Sequence, residues 1–397
     1  MRAILFVDDE PFILEGLRSL LRKQRESWNM SFVSSGPAAL EALAQQGRDV
    51  VVSDMRMPGM DGAELLGRIR ELYPRTARVI LSGQASHQDL IRARPVAQQI
   101  LSKPCERAVL CETIERLFKV QALLDNEHIQ TLVGRLQRLP LFPKCFHDLS
   151  QAMTRLELSM AEIVRIVEQD PALSIMVLSI ANAGYFGLPQ GTLSVPKAID
   201  LLGLQLLQAL ALSSDIFTHI DVSLLSSKTL LDLPQQSLLK ARLARKFVDD
   251  PFLGDEAFAA ALLLDIGQVV LAQDDVTAYL GLLKASETDP RPLHELERER
   301  LGFTHAEVSG YLLGIWGLPA RVVELVAKHH HPELLEPSLR AAAAAVHVAD
   351  VLVDASRTER GDPFAAIAPS IRERPEIQAR LGSWWAMVQD ASQVSES

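Results

Sequence analysis

Four short apolar segments near the start of the chain each lead into a side chain that can do chemistry. The segments cover residues 4–7, 50–53, 79–81 and 100–102, and the groups that follow are Asp8-Asp9, Asp54, Ser82 and Lys103. Stretches with helical periodicity separate them, and such alternation is typical of a doubly wound α/β domain. The carboxyl ends of parallel strands share one edge of a sheet, where ligand sites form. The sequence therefore predicts one pocket of carboxylates, a hydroxyl and an amine.

This first domain is predicted to cover residues 1–120, with a five-strand parallel sheet in a flavodoxin-like arrangement. The candidate helices are 11–24, 36–46, 62–72, 84–92 and 106–119. Residues 105–138 keep a helical pattern, so we predict a connecting helix that overlaps the last helix of the domain. A helical dimer seam, and hence a homodimer, is the alternative use of this segment, although Gln121 and His128 would interrupt it.

Length and composition limit the class of protein. A chain of 397 residues is too long for one ordinary core, which predicts two or three domains. No apolar run approaches bilayer length and no leader pattern precedes the first strand, so we expect a cytoplasmic protein without membrane insertion. Three cysteines without a CxxC pair disfavour disulfides and a cysteine-rich metal site.

The net charge of −10 is unevenly distributed. Residues 1–120 contain 17 Lys and Arg against 15 Asp and Glu, whereas the remainder contains 23 against 35. Duplex binding normally requires a basic face. Nucleic-acid binding by the larger, C-terminal part is therefore disfavoured.

The chain beyond residue 139 is rich in Leu and Ala and almost lacks strand signals. Its candidate helices are 159–168, 171–183, 195–213, 235–248, 255–271, 304–316, 319–329 and 338–353. We predict an all-α domain over residues 135–335. Residues 336–397 form a helical extension and a polar tail, which either packs on the helices or is partly disordered.

The predicted pocket of the first domain has the composition of a phosphate-transfer site. Asp8, Asp9 and Asp54 offer hard oxygen ligands of the kind that Mg²⁺ prefers. Lys103 and Ser82 can bind the oxygens of a phosphoryl group. A carboxylate can also attack a phosphoryl donor to give an acyl phosphate.

Residues 1–120 resemble the receiver domain of two-component response regulators. The resemblance rests on DDE at 8–10, DMRMPGMDG at 54–62, LSG at 81–83 and SKP at 102–104. It implies that Asp54 is the phosphoacceptor, that Asp8, Asp9, Asp54 and the backbone carbonyl of Arg56 hold Mg²⁺, and that Ser82 and Lys103 assist catalysis. Ile100 departs from the family pattern, because an aromatic residue that rotates on activation usually stands there.

The helical half resembles the HDOD output domain, a branch of the HD phosphohydrolase superfamily. The motifs are LPLFP at 139–143, IVEQDPAL at 166–173, LSIANA at 178–183, GLP at 187–189 and AIDLLG at 198–203. A catalytic HD domain binds metal through histidines and a His-Asp pair, but Leu264 stands before Asp265 here. Gln236 is the expected counterpart of a first histidine, and an amide is a poor ligand for transition metals.

Several histidines nevertheless remain in the helical half. His305, His329 and His330 could belong to a residual metal site if the fold gathers them. Alternatively, His329–His331 end a helix as cations that interact well with its dipole. Because the HD motif is broken, we expect no metal in the helical domain.

These resemblances imply a response regulator that accepts phosphate from a sensor histidine kinase. Its helical output would be non-catalytic and would act on an unknown downstream signalling protein or through self-association. The alternative is a receiver-regulated, metal-dependent phosphohydrolase of nucleotides or cyclic dinucleotides, against which Leu264 and Gln236 argue.

Overall fold

The structure is a computed structural model that describes residues 1–83, 92–123, 126–136, 139–141, 159–182, 192–212, 217–219, 227–358 and 362–395. The predicted helix over 84–92, except its last residue, lies outside these ranges, as do residues 142–143 and the motif at 187–189.

The N-terminal domain is a five-stranded parallel sheet with strand order β2-β1-β3-β4-β5. The strands are β1 (Arg2–Val7), β2 (Trp28–Val33), β3 (Val50–Asp54), β4 (Ala77–Ser82) and β5 (Gln99–Ser102). The described helices of this domain are α1 (Pro11–Leu20), α2 (Gly36–Gln45), α3 (Gly62–Leu72) and α4 (Arg107–Leu123). β3 and β4 are buried along their whole length, which explains their nearly continuous apolar runs. The predicted α/β fold is confirmed.

The prediction of one continuous connecting helix over 105–138 is wrong, because the structure has two helices there. α4 ends at Leu123, and a second helix, α5 (Glu127–Arg135), begins after Asn126. The Asn126 side chain accepts hydrogen bonds from the amides of His128 and Ile129, which caps the start of α5. α5 then packs on the N-terminal domain so closely that a β-carbon on Gly134 would meet a backbone oxygen of Pro74 at 1.8 Å.

The C-terminal part is mostly helical in its described residues, as predicted. These residues also include two three-residue strands that pair in parallel, β6 (Leu139–Leu141) and β7 (Phe217–His219). Its first described helices are α6 (Met160–Glu168), α7 (Pro171–Ala181), α8 (Val195–Leu212), α9 (Lys228–Phe247), α10 (Pro251–Leu263) and α11 (Ile266–Asp274). The later ones are α12 (Val276–Ser286), α13 (Leu293–Leu301), α14 (His305–Ile315), α15 (Ala320–Ala327), α16 (Arg340–Thr358), α17 (Pro369–Arg372) and α18 (Pro375–Ser395).

A turn at Leu264 and Asp265 divides the single helix predicted over 255–271 into α10 and α11. The turn is held against α14, because the Ser309 hydroxyl donates to the Leu264 carbonyl and accepts from the Gly267 amide, both at 2.8 Å. A β-carbon on Gly267 would lie 2.1 Å from the carbonyl oxygen of His305. Glycine is therefore required at this crossing of α11 and α14.

The C-terminal segment packs back on the helices, which decides between the two alternatives for its described residues. Trp384 of α18 is 2% exposed, and its ring stacks on Phe247 of α9 with the centroids 4.4 Å apart. None of the helices in the described ranges is long and apolar enough to cross a bilayer.

The two domains contact each other through α14. The Gln99 side chain of β5 donates to the carbonyl oxygen of Ile315 at 2.8 Å. Val120 of α4 packs against Gly314, where a β-carbon would lie 2.6 Å from the valine side chain. Arg94 adds a cation–π contact, with its guanidinium carbon 4.4 Å from the centre of the Trp316 ring.

Candidate functional site

The sheet edge brings together Asp8, Asp54 and Lys103, which lie 46 residues or more apart in the sequence. Lys103 Nζ donates to Asp8 Oδ2 at 2.7 Å and also bonds to Asp54 Oδ1. The second oxygen of Asp54 accepts from the Arg56 amide at 2.7 Å. The two carboxylates therefore share one ammonium group, and Asp54 has its other oxygen fixed by the backbone.

Burial and pairing act in opposite directions on the pKa of Lys103. Burial by itself lowers this pKa, but the hydrogen bonds and the charges of Asp54 and Asp8 outweigh burial and raise it above its usual value. Lys103 therefore stays cationic, and it can follow negative charge that is added to either carboxylate.

Ser82 and Asp9 complete the predicted set from neighbouring positions. Ser82 ends β4, is 4% exposed and pairs with Ser102 across the parallel ladder. Its carbonyl accepts from the Lys103 amide at 2.7 Å, which fixes the loop that carries the lysine. Asp9 is partly exposed beside the buried Asp8. Ile100, at the position where the family carries an aromatic residue, is 5% exposed in the core.

The loop after Asp54 folds back over the strand end because of a glycine. A β-carbon on Gly62 would lie 2.1 Å from the carbonyl oxygen of Asp54. Asp61 caps the following helix α3 by accepting from the Glu64 amide at 2.9 Å. The DG pair at 61–62 therefore starts α3 next to the phosphoacceptor candidate.

These residues fit a magnesium ion by their donor chemistry. Two carboxylates converge on one cation, and a third, Asp9, stands next to them in sequence. Mg²⁺ takes oxygen ligands and retains several waters, so a partly open carboxylate edge suits it. When bound, the ion would supply positive charge to the oxygens of an incoming phosphoryl group.

A second cluster of carboxylates around a lysine lies inside the helical domain. Lys240 Nζ of α9 lies 2.9 Å from Asp265, 2.6 Å from Asp350 and 3.1 Å from Asp354. The Lys240 side chain is 3% exposed, as against 20% for Lys103. Burial opposes the charge of Lys240, but the three carboxylates raise its pKa well above the usual value.

Three histidines gather beside this cluster. Ring nitrogens of His305, His329 and His330 lie within 4.8 Å of one another, which is close enough for one metal ion. His305 Nε2 is 3.1 Å from His330 Nε2 and 3.4 Å from Asp265 Oδ1, and His329 Nε2 is 4.0 Å from Asp350 Oδ2.

Hydrogen bonds on the far side of two rings set their orientation. His305 Nδ1 contacts Glu297 Oε2 at 2.7 Å, and the Tyr279 hydroxyl donates to the same carboxylate at 2.6 Å. His329 Nδ1 donates to the Val326 carbonyl at 2.7 Å, and the buried Nε2 has no hydrogen-bond partner among the described residues. Such outer bonds commonly orient metal-binding histidines.

The charge states of these histidines differ. Burial lowers the pKa of His305, but its ion pair and hydrogen bond with Glu297 outweigh burial and raise it to about 9. Burial lowers the pKa of His329 to about 4 and that of His330 well below its usual value. His329 and His330 are therefore neutral, so the interpretation of them as cations at a helix end is wrong.

The helical cluster differs from the sequence-based set at one position. Gln236 accepts a hydrogen bond from Arg357 at 2.8 Å on the exposed side and does not reach the cluster. Lys240, one helical turn later, contacts Asp265 and Asp350 instead. Leu264 is fully buried next to Asp265. Lys240 could have been found from its position four residues after Gln236, on the same face of α9.

Known proteins match both halves of the chain. The family model for the response regulator receiver domain matches residues 4–115, and that for the HDOD domain matches residues 139–332. The hydrogenase transcriptional regulatory protein HoxA of Cupriavidus necator is 32% identical over 127 residues, which cover 32% of this chain and 26% of HoxA. The transcriptional regulatory protein GlrR of Escherichia coli is 30% identical over 125 residues, which cover 31% of this chain and 28% of GlrR.

A solved structure shares the fold over a larger part of the chain. A virulence factor from Campylobacter jejuni aligns with a TM-score of 0.50 and 18% identity, over 63% of this chain and 99% of that one. The matched segments span less than a third of HoxA and GlrR, so these relatives inform the N-terminal domain alone. The order of the two family matches shows that the chain is a response regulator with an N-terminal receiver domain followed by an HDOD domain.

Proposed function

We propose that a sensor histidine kinase phosphorylates Asp54 in the presence of Mg²⁺, and that this phosphate controls a non-catalytic HDOD domain. The observation that carries the proposal is the pairing of Asp8 and Asp54 with one ammonium group at the sheet edge. An Asp54 oxygen attacks the phosphorus of a phosphohistidine, the P–N bond breaks, and the imidazole leaves with a proton. Lys103 follows the negative charge onto the phosphoryl oxygens.

The route from Asp54 to the HDOD domain runs through α14. The phosphate adds a charge of about −1.5 to −2 at neutral pH. This charge shifts the receiver between two conformations. β5 carries both the loop of Lys103 and Gln99, which bonds to Ile315. A change at Lys103 therefore reaches the end of α14 without an aromatic switch at Ile100. The HDOD domain would then alter its contact with a downstream signalling protein or with a second copy in the cytoplasm.

The phosphoacceptor is tested with acetyl phosphate, a small donor that needs no kinase. Wild-type protein should incorporate phosphate only with Mg²⁺, and Asp54→Asn should incorporate none. Asp49→Asn, a remote carboxylate of the same domain, is the control and should be labelled like wild type. Equal labelling of Asp54→Asn and wild type would refute the assignment of Asp54.

The route is tested by hydrogen exchange of full-length protein with and without beryllofluoride, a mimic of the aspartyl phosphate. We expect exchange in residues 305–317 to change in wild type and to stay constant in Asp54→Asn. Gln99→Leu should reduce the change, since it removes the bond to Ile315. An unchanged α14 in wild type would contradict this route.

One observation favours a second candidate function, a metal-dependent phosphohydrolase of nucleotides or cyclic dinucleotides. His305, His329 and His330 converge, and the buried His329 Nε2 has no hydrogen-bond partner in the part of the chain that the structure describes. A metal there would replace the proton that lies between His305 and His330. Lys240 argues against a second metal, because it already neutralises Asp265 and Asp350.

Metal analysis of the purified full-length protein separates the two candidates. Stoichiometric iron, manganese or zinc that is lost in His329→Ala, together with hydrolysis of a cyclic dinucleotide, would favour the second. Metal-free protein without hydrolysis favours the non-catalytic output.

A further inference from the structure

A second polar cavity lies at the opposite end of the receiver sheet, away from Asp54. It has a volume of about 580 Å³, within the usual range of small-molecule sites. Its walls come from the start of β1, the loops before β3 and β4, the end of α4 and the capped helix α5. Both the receiver and the helix α5 therefore contribute to the cavity.

The cavity is basic although the protein as a whole is acidic. Four arginines line it, Arg2, Arg48, Arg75 and Arg135, against a single carboxylate, Asp49. Asp49 is already used, because it pairs with Arg2 at 3.3 Å and accepts from the Ala3 amide at 2.7 Å. Arg75 pairs with Glu127. Across the described part of the chain, neither Arg48 nor Arg135 has a carboxylate partner.

Two buried polar atoms of this cavity lack hydrogen bonds within the described protein. Arg48 Nε is a buried donor without an acceptor, whereas the terminal nitrogens of Arg48 donate to the carbonyls of Gln46 and Gly47 and to the Ser31 hydroxyl. Gln121 is 5% exposed, and its Nε2 donates to the carbonyls of Asp49 and Arg75 at 3.2 and 3.4 Å, but its Oε1 has no donor. A buried polar atom without a partner costs about 1–3 kcal/mol, which a bound ligand can recover.

We propose that this cavity, lined by Arg48, Gln121 and Arg135, binds a nucleotide. Guanidinium groups recognise phosphate oxygens through paired, charge-assisted hydrogen bonds. The free Oε1 of Gln121 requires a donor, which the amino or imino edge of a base supplies. Tyr73 also lines the cavity and offers an aromatic ring to the base.

The position of the cavity gives the nucleotide a means to influence the output domain. α5 supplies Arg135 to the cavity, and it contacts both α3 of the receiver and α14 of the HDOD domain. A ligand that joins Arg135 to Arg48 would therefore hold α5 against the receiver. This is a second input, separate from the phosphate on Asp54.

Calorimetric titration of full-length protein in EDTA tests the proposal, because without Mg²⁺ the acidic pocket does not attract phosphates. The probes are AMP, GMP, ATP, GTP and cyclic di-GMP, and pyrophosphate is the control ligand without a nucleobase. We expect at least one nucleotide to bind with a Kd below about 100 μM. Arg135→Gln should weaken it at least about tenfold, whereas Arg22→Gln, an exposed arginine outside the cavity, should leave it unchanged.

Gln121→Met separates a nucleotide from a simple phosphate site. It should weaken the nucleotide but leave pyrophosphate binding unchanged, and the retained pyrophosphate binding shows that the variant is folded. The proposal is overturned if no nucleotide binds with a Kd below about 100 μM, if pyrophosphate binds as tightly as every nucleotide, or if Arg135→Gln binds like wild type.

Discussion

The receiver and the HDOD domain each contain a lysine that is shared by aspartates, but the two sites differ in exposure. Lys103 is 20% exposed and joins Asp8 to Asp54 at the open edge of a sheet. Lys240 is 3% exposed and joins two buried aspartates, Asp265 and Asp350, and the exposed Asp354 between helices. The open cluster can admit a cation and a phosphoryl group, whereas the closed cluster already contains its cation.

This difference shows that the same charge pattern can serve chemistry or architecture, depending on its access to solvent. A buried lysine that is surrounded by carboxylates contributes to stability chiefly because its removal would leave those carboxylates buried without a counter-charge. A lysine at a sheet edge keeps enough freedom to change partners. The following variants test this contrast.

Lys103→Met should slow phosphorylation of Asp54 by about 100-fold, because it removes a cation that stabilises the transferred oxygens. It also leaves Asp8 and Asp54, which are 2% and 9% exposed, without their cation. Its free energy of unfolding should therefore fall, but by less than in Lys240→Met, because the Lys103 side chain is 20% exposed. Lys119→Met, an exposed lysine of α4, is the matched control. Rates are measured with acetyl phosphate and Mg²⁺; a wild-type rate in Lys103→Met would show that Lys103 has no catalytic role.

Lys240→Met should show the reverse pattern. It leaves two buried aspartates without their cation and should lower the free energy of unfolding by about 3–5 kcal/mol. Phosphorylation of Asp54 should continue in the folded fraction. Lys246→Met, exposed on the same helix, should be neutral in urea unfolding, and a loss below about 1 kcal/mol in Lys240→Met would mean that the cluster is not closed.

Stability of the HDOD domain should fall in acid because of its neutral histidines. Burial lowers the pKa values of His329 and His294 to about 4, below the unfolded value of about 6.5. The unfolded chain therefore binds protons first, and stability is lost as pH falls from 6.5 towards 4. For His329 the loss is on the order of 3 kcal/mol.

His305 predicts the opposite dependence at alkaline pH. Its pKa is raised to about 9, so its contribution is complete below about 6.5 and is lost as pH rises through 9. Unfolding of chelator-treated protein should therefore show maximum stability near about pH 6.5, with a decline on either side. His305→Gln should remove the alkaline decline, and an unchanged decline would assign it to another group.

The smallest effect concerns the cap that sets the position of His305. Thr304 and Glu307 form a reciprocal capping box at the start of α14. Thr304→Ala should cost about 1 kcal/mol in unfolding. Ser159 stands at the start of α6 but makes no capping bond, so Ser159→Ala should cost almost nothing. Equal costs in the two variants would exclude a specific role for the Thr304 cap.

The sequence allowed good predictions where local patterns determine the structure. Strand ends in a parallel sheet have a fixed geometry, so the convergence of Asp8, Asp54 and Lys103 could be predicted from their positions after apolar runs. The break between α4 and α5 was missed although Asn126 is a favourable cap. Leu264 and Asp265 were placed within a helix, because nothing in an apolar run marks the turn.

The helical cluster could not be predicted because it depends on packing. Lys240 is not a metal ligand, so the pattern of metal-binding residues does not reveal it and points to Gln236 instead. The glycine contacts at Gly267 and Gly314 depend on how closely helices approach, which no periodicity reveals. The roles of Asp54, Lys103 and the histidines remain predictions that the experiments above address.

The helix α14 has a mechanical consequence. Its 11 residues form a rod about 16 Å long. At one end Ile315 accepts a hydrogen bond from the receiver, and at the other end His305 lies among the buried histidines. If the receiver end tilted by about 10°, the far end would move by about 3 Å, comparable to the length of a hydrogen bond. A small rotation at β5 would therefore be amplified into the making or breaking of the contact between His305 and His330.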